Sequence, residues 1–139
     1  MHARRCSGAF SVTVTPLPAE SGIGDASIGR MSLHKVFEGD LAGEARGQML
    51  AAMTGVVGSA AYVALDRFEG SLHGRRGGFS LQHRGVMERG APDLSVTIVP
   101  DSGTGELGGI SGSLGIRSDN GAHFYDLDYR LPEAGPQAL

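Results

Sequence analysis

Apolar and polar residues alternate with a period of two along most of this chain. Within residues 10–14, 79–87, 94–98 and 123–130, the apolar and aromatic side chains fall mainly on one parity and the polar side chains on the other. A period of two places successive side chains on opposite faces of the backbone, which is typical of β-strands that are buried on one face. The pattern therefore predicts an all-β protein.

Turn signals rich in Gly, Pro, Asp and Ser separate these segments. Together the two patterns predict eight or nine strands, at roughly residues 8–15, 28–43, 47–54, 60–74, 77–87, 94–100, 104–110, 113–117 and 122–131. Many short strands with regular turns are typical of a sandwich or a closed barrel. We expect one domain over residues 1–139, with a core at about 8–131 and short flexible termini.

A short repeat favours the barrel. Residues 37–43, Phe-Glu-Gly-Asp-Leu-Ala-Gly, return as residues 68–74, Phe-Glu-Gly-Ser-Leu-His-Gly, and a weaker copy follows at 105–109. The Phe, Gly, Leu and Gly of each copy share one face, and such alternation of large and absent side chains suits a strongly coiled strand lining a small barrel. We therefore predict a single antiparallel β-barrel of about eight strands, with a glycine-bounded turn after each copy.

The same parity turns a set of polar side chains inward. Lys35 and Asp66 occupy equivalent positions, four residues before the first glycine of each repeat copy, and His83 shares the face of Phe79 and Leu81. Four further side chains have the inward parity, namely Tyr62, His123, Tyr125 and Tyr129. A buried charge is costly unless it is paired. Two interpretations stay open: a Lys35–Asp66 ion pair that fixes strand register, or an acid–base site in a cavity.

Composition narrows the function only a little. The formal net charge of −3 gives no reason to expect a nucleic acid or a membrane as partner. The single cysteine, Cys6, excludes an intramolecular disulfide, fits a reducing cytoplasm, and leaves no Cys/His spacing for zinc. From the pattern along the chain we expect neither a signal peptide nor a transmembrane segment. We predict a cytoplasmic protein without metal or cofactor, and leave self-association into a homo-oligomer open.

Four motifs carry a family resemblance. Residues 62–75, 79–83, 102–107 and 123–125 resemble, in this order, the bacterial domain-of-unknown-function family 3224. The similarity extends over about residues 8–131. It implies a calycin-like barrel similar to allene oxide cyclase, and it implies no established activity. Relatives of that barrel include enzymes that cyclise or isomerise reactive apolar substrates, among them natural-product cyclases of the Diels–Alder type.

These observations lead to a functional hypothesis. We predict a cofactor-independent cyclase or isomerase that acts on a small apolar molecule, such as a natural product, inside the barrel. Asp66 and His83 are the predicted catalytic acid–base groups. The predicted substrate-binding residues are Lys35, Tyr62, Tyr125, His123, Tyr129, Phe37 and Phe68. The alternatives are a lipocalin-like binding protein without catalysis and a structural barrel whose polar interior satisfies itself.

Overall fold

The computed structural model describes residues 2–132. All regular secondary structure in this range is β-strand, in agreement with the predicted all-β class. The nine strands are β1 (His2–Pro16), β2 (Ile28–Gly39), β3 (Leu41–Met53), β4 (Ala60–Leu72), β5 (Arg75–Glu88), β6 (Ala91–Ile98), β7 (Thr104–Gly105), β8 (Ser111–Asp119) and β9 (Ala122–Leu131). Within residues 2–132, no helix is long and apolar enough to cross a membrane.

The strands form one closed antiparallel sheet. Its order is β4-β3-β2-β1-β9-β8-β6-β5, and an additional pairing between β4 and β5 joins the two edges. The two-residue strand β7 lies outside this ring and pairs with β5. The fold is therefore an eight-stranded barrel with one short extra strand, and the predicted closed barrel is confirmed.

The predicted segment 28–43 is in fact two strands, because the first repeat copy contains a turn. The chain reverses at Gly39 and Asp40, and Gly39 has a φ of +106°, which favours glycine. The predicted flexible amino terminus also differs: from His2 to Phe10, β1 pairs with β9. The predicted flexible carboxyl terminus lies, from residue 133 onward, outside the described residues.

The predicted strand 104–110 is wrong apart from β7. Successive backbone hydrogen bonds wind residues 104–110 into turns, including Leu107 N–H to Thr104 O at 3.0 Å. These turns direct Leu107 and Ile110 into the barrel, where they are 0% and 1% exposed. The third repeat copy therefore closes one end of the barrel instead of forming a wall strand.

Glycines within the repeat copies, together with Gly77 just after the second copy, lie in a row across neighbouring strands. Gly43 on β3 pairs with Gly70 on β4, which pairs with Gly77 on β5, which pairs with Gly105 on β7. A Cβ atom at Gly70 would overlap the Ala42 carbonyl oxygen and lie 2.8 Å from Gly43 Cα. The missing side chains allow the backbones to approach closely where the sheet curves.

Burial divides the barrel into two ends. At the closed end, Leu41, Leu72 and Leu107 have no exposed surface. The open end is defined by inward-facing apolar side chains that remain partly exposed, namely Val14, Met31, Met49, Met87 and Leu94. Val14, Met87 and Leu94 are 45%, 43% and 41% exposed. The hydrophobic core thus fills one half of the barrel and leaves an apolar mouth at the other.

Candidate functional site

Three charged or polar side chains meet inside the barrel, at the boundary between these two halves. Lys35 on β2, Asp66 on β4 and His83 on β5 are 6%, 3% and 3% exposed. Lys35 Nζ lies 2.7 Å from Asp66 Oδ2 and 3.1 Å from His83 Nε2, and His83 Nε2 lies 3.3 Å from Asp66 Oδ1. We call this group the Lys35–Asp66–His83 cluster. All three members have the inward parity that the sequence predicted, and the pairing register of the strands brings them together.

Strand β3 separates β2 from β4, so Lys35 must reach Asp66 across it. β3 presents only small residues there, because Ala45 pairs with Lys35 and Gly47 pairs with Asp66. A Cβ atom at Gly47 would lie 2.5 Å from Asp66 Cβ. Neither position was among the predicted site residues. Both belong to a run of small residues of inward parity at 43, 45 and 47, which is visible in the sequence.

The three side chains of the cluster do not all satisfy one another's hydrogen bonds. Burial by itself raises the pKa of Asp66, but the hydrogen bond with His83 and the charge of Lys35 outweigh it, so the pKa lies below its ordinary 3.8. Asp66 Oδ2 contacts the Lys35 ammonium as an ion pair but has no hydrogen bond of good geometry among the described residues. His83 Nε2 either accepts from Lys35 or donates to Asp66, since one nitrogen cannot do both.

A layer of aromatic rings forms the floor beneath the cluster. The ring of Phe37 packs 5.3 Å from Phe10 and 5.9 Å from Phe68, and Phe68 packs 5.1 Å from Phe79. Phe37 and Phe68 were predicted to bind substrate. They are 2% and 0% exposed, two residues further along their strands than Lys35 and Asp66, so they support the cluster from the packed side.

Tyr125 and Tyr129 lie toward the closed end and have partners of their own. The Tyr125 hydroxyl accepts from Leu41 N–H and donates to Glu38 O, both at 2.9 Å, and so holds the turn between β2 and β3. Burial raises the pKa of Tyr125 to about 12. The Tyr129 hydroxyl lies 2.5 Å from His73 Nδ1, in the turn between β4 and β5. Both tyrosines therefore join barrel walls at the closed end.

The remaining predicted residues, Tyr62 and His123, occupy separate places. Tyr62 is partly buried on the open-end side of Asp66, and its ring covers Gly85, where a Cβ atom would lie 2.6 Å from Tyr62 Cζ. Burial raises the pKa of Tyr62. The His123 ring stacks on Phe10 at 5.4 Å, and its Nδ1 lies 3.3 Å from Ser118 Oγ. The predicted set does not converge on one cavity.

Clefts of substrate size lie along the barrel wall. Five of them at the described residues have volumes from about 410 to 680 Å³. His83 lines the 680 Å³ cleft together with Gly47 and Ala64, whereas Lys35 and Asp66 line none of the five. Across residues 2–132, no group of three or more His, Cys, Asp and Glu side chains could hold a metal ion. The chemistry available at the cluster is that of an ammonium, a carboxylate and an imidazole.

Comparisons with known proteins agree with this barrel and supply no activity. The crystal structure of a protein of unknown function from Shewanella oneidensis MR-1 is 42% identical and superposes with a TM-score of 0.88. The match covers 96% of this chain and 100% of that one. No curated protein matches. A family model described as "Protein of unknown function (DUF3224)" matches residues 6–129, and the chain therefore belongs to the DUF3224 family.

Proposed function

We propose that this protein is a cofactor-independent acid–base enzyme of the isomerase or cyclase type, acting on a small apolar carbonyl compound at the open end of the barrel. The observation that supports the proposal is the Lys35–Asp66–His83 cluster, whose polar atoms lie within 3.3 Å of one another. A buried charged group costs desolvation energy that a well-packed apolar core avoids. Barrel stability alone therefore gives no reason for the cluster.

In the proposed reaction, neutral His83 is the base. Its Nε2 takes a proton from the carbon next to the substrate carbonyl, the C–H electron pair forms a carbon–carbon double bond, and the carbonyl π electrons move to oxygen. Lys35 turns one N–H from Nε2 to that oxygen and stabilises the enolate charge. The Asp66 carboxylate, 3.3 Å from Nε2, balances the imidazolium that forms.

Two products can follow from the enolate. Return of the proton from His83 to a different carbon gives an isomer with the same atoms. Attack of the enolate carbon on an electrophilic carbon of the same molecule closes a ring, and the proton then goes to the group that receives the electron pair. Neither route needs an oxidant, a reductant or a metal, so the three side chains supply all the chemistry.

The open end provides the apolar surroundings that this chemistry needs. Met31 and Met49 face each other across β2 and β3, and Met87 lies on β5 four residues beyond His83. Methionine side chains are flexible and fill irregular shapes, so they can move aside for a substrate and close around it. Excluding water in this way strengthens the interactions of Lys35 and His83 with the substrate.

The same open end favours a second candidate, a carrier of small apolar molecules without catalysis. Its support is the exposure of Val14, Met87 and Leu94, which are inward-facing and 41% to 45% exposed. Exposed apolar side chains grouped at one end of a barrel are typical of a binding surface. A carrier would bind an apolar ketone without exchanging its protons, whereas the proposed enzyme would exchange them.

The test is exchange of the α-hydrogens of α-tetralone, a small apolar ketone, in deuterium oxide, followed by proton NMR. We expect the wild-type protein to accelerate exchange and His83→Gln to reduce the acceleration by about 100-fold, a usual effect of losing a general base. The matched control is His34→Gln, since His34 lies on the outer face of β2 and contacts Glu44. Binding without exchange would identify a carrier, and exchange unaffected by His83→Gln would contradict the assigned base.

A further inference from the structure

Some hydrogen-bond donors and acceptors of the Lys35–Asp66–His83 cluster have no partner. A ligand that supplies the missing partners should bind there. Asp66 Oδ1 lies 3.3 Å from His83 Nε2, but when this nitrogen accepts from Lys35, as the base must, it has no proton to donate to Oδ1. Asp66 Oδ2 has surface accessibility near zero and no hydrogen bond of good geometry, although Lys35 Nζ is 2.7 Å away. A buried carboxylate oxygen without a well-directed donor is unfavourable, because desolvation is not offset by a full hydrogen bond. The cluster therefore contains an acceptor with spare capacity.

Lys35 supplies the complementary capacity. Its ammonium carries three N–H groups and accepts none. One N–H donates to His83 Nε2 at 3.1 Å. The other two have no well-directed side-chain acceptor among the described residues, and Nζ lies 2.7 Å from Asp66 Oδ2, which lacks a hydrogen bond. A donor and an acceptor therefore lie next to each other in the boundary between the closed and open ends.

We infer that this pair is arranged to hold the oxygen of an enol, so that the substrates are enolisable apolar ketones that are bound most tightly in their enol form. An enol oxygen accepts from Lys35 and its O–H donates to Asp66 Oδ2, which satisfies both groups at once. A carbonyl or ether oxygen accepts from Lys35 but leaves the carboxylate without a donor. The inference rests on the proposed function, because it names the substrate class of the same site.

The inward side chains beyond the cluster restrict the remainder of the substrate. On the open-end side, Lys35 is preceded by Leu33 and Met31, and Asp66 by Ala64 and Tyr62. Leu33 and Ala64 are 6% and 5% exposed and cover the oxygen site, so a substrate reaches it only when apolar side chains at the open end move aside. A molecule with a second charged group would have to desolvate it there without a partner. The ketone is therefore expected to be hydrocarbon-like apart from its one oxygen.

Preference for the enol has a catalytic consequence. Only interactions that are stronger in the transition state than in the bound ketone accelerate the reaction. Asp66 Oδ2 gains a hydrogen bond only when Lys35 passes one N–H proton to the enolate oxygen, which leaves Lys35 as a neutral amine and the substrate as an enol. The same carboxylate that balances His83 thus also favours the enol, which forms after His83 has taken the carbon-bound proton and Lys35 has protonated the oxygen.

The inference is tested by comparing two stable compounds that differ in one hydrogen-bond donor. α-Naphthol is an aromatic analogue of the enol of α-tetralone, and α-methoxynaphthalene has the same rings but no O–H. We expect the wild-type protein to bind α-naphthol about tenfold or more tightly, as measured by naphthalene fluorescence, since each 1.4 kcal/mol is tenfold in affinity. In Asp66→Asn, the preference should largely disappear, because the charged acceptor is gone.

The controls separate this inference from the proposed function. Asp93→Asn removes a carboxylate from β6, where Asp93 contacts Arg84 on the outer surface at 3.9 Å, and should leave the preference unchanged. Equal affinity for the two compounds, binding of neither, or a preference that survives in folded Asp66→Asn would overturn the inference. Ketone exchange that depends on His83 would still support the enzyme in each of these cases. The wild-type comparison needs no variant, so poor folding of Asp66→Asn cannot hide the answer.

Discussion

Asp66 supplies the negative charge that compensates Lys35 inside the barrel. Replacing Asp66 by Asn leaves the ammonium buried without a counter-ion, and such a change typically costs about 3–5 kcal/mol in the free energy of unfolding. The double variant Lys35→Met/Asp66→Leu removes both charges and should recover most of that loss. Urea unfolding of the three proteins measures this. A single variant within about 1 kcal/mol of wild type would mean that the ion pair contributes little.

The same carboxylate predicts how stability depends on pH. The pKa of Asp66 in the folded protein is below its ordinary 3.8, because His83 and Lys35 outweigh the effect of burial. The unfolded chain therefore binds this proton more readily, so the stabilisation by Asp66 is present above the unfolded pKa and is lost as the pH falls through the folded pKa. The part of the gap in unfolding free energy between wild type and Asp66→Asn that comes from the titration of Asp66 should be constant near neutral pH.

That gap should shrink as the pH falls below 3.8. Urea unfolding at a series of pH values on both sides of this point measures it. An outer-surface variant such as Asp93→Asn serves as the control for general acid effects, since Asp93 contacts only the exposed Arg84 among the ion pairs of the described residues. A gap that stays the same at all pH values would show that Asp66 does not titrate with folding.

At the scale of strands, the row of paired glycines predicts a sharp contrast between two similar substitutions. Gly70→Ala places a Cβ atom against the backbone of β3 and should cost about 1–3 kcal/mol or more. Gly115→Ala on β8 places one 3.7 Å from Asp126 O, an ordinary contact, and should be neutral or stabilise by up to about 1 kcal/mol. Thermal or urea unfolding measures both. Equal effects would contradict the role given to the row.

The sequence pattern was sufficient to predict the barrel but not the positions of its turns. Alternation and the repeat correctly predicted a barrel, but the repeat did not predict its own turns. Copy one reverses at Gly39 and Asp40, whereas copy two continues to Leu72 before it turns. The Tyr125 hydroxyl holds the first turn through Glu38 and Leu41, from a strand more than 80 residues away. A contact between residues so far apart in sequence cannot be predicted from the residues of the turn alone.

For the whole molecule, the parity of a strand predicts which side chains face inward but not their height along the barrel. Lys35 and Asp66 share a height because of the register in which β3 pairs with β2 and β4, and the small Ala45 and Gly47 leave room between them. His83 lies near this height because of the register between β4 and β5. Tyr125 and Tyr129 have the same parity yet lie toward the closed end. The predicted residues face the barrel interior, as expected. They do not lie at one height, so no single cavity among the described residues surrounds them. Their heights can be predicted only when the pairing register is known.

Neighbouring strands of the barrel differ in how many residue pairs join them. Strands β6 and β8 share one registered pair among the described residues, Thr97 with Ser113, whereas β3 and β4 are in register from Leu41–Leu72 to Met53–Ala60. We call this boundary between β6 and β8 the seam. Because few backbone hydrogen bonds join the two strands there, the free energy of local opening at the seam should be low. We expect backbone amides of β6 and β8 at the seam to exchange with deuterium markedly faster than those between β3 and β4.

Hydrogen exchange followed by mass spectrometry or NMR on the native protein measures this difference. The amides of β6 that pair with β5, and those of β8 that pair with β9, serve as internal controls, because they lie on the same strands but in longer ladders. They should be protected more strongly than the seam. If the seam and the β3–β4 ladder exchanged at the same rate, the barrel would open only by global unfolding. If the seam is faster, opening there also gives water a route toward the interior that does not pass through the methionines of the open end.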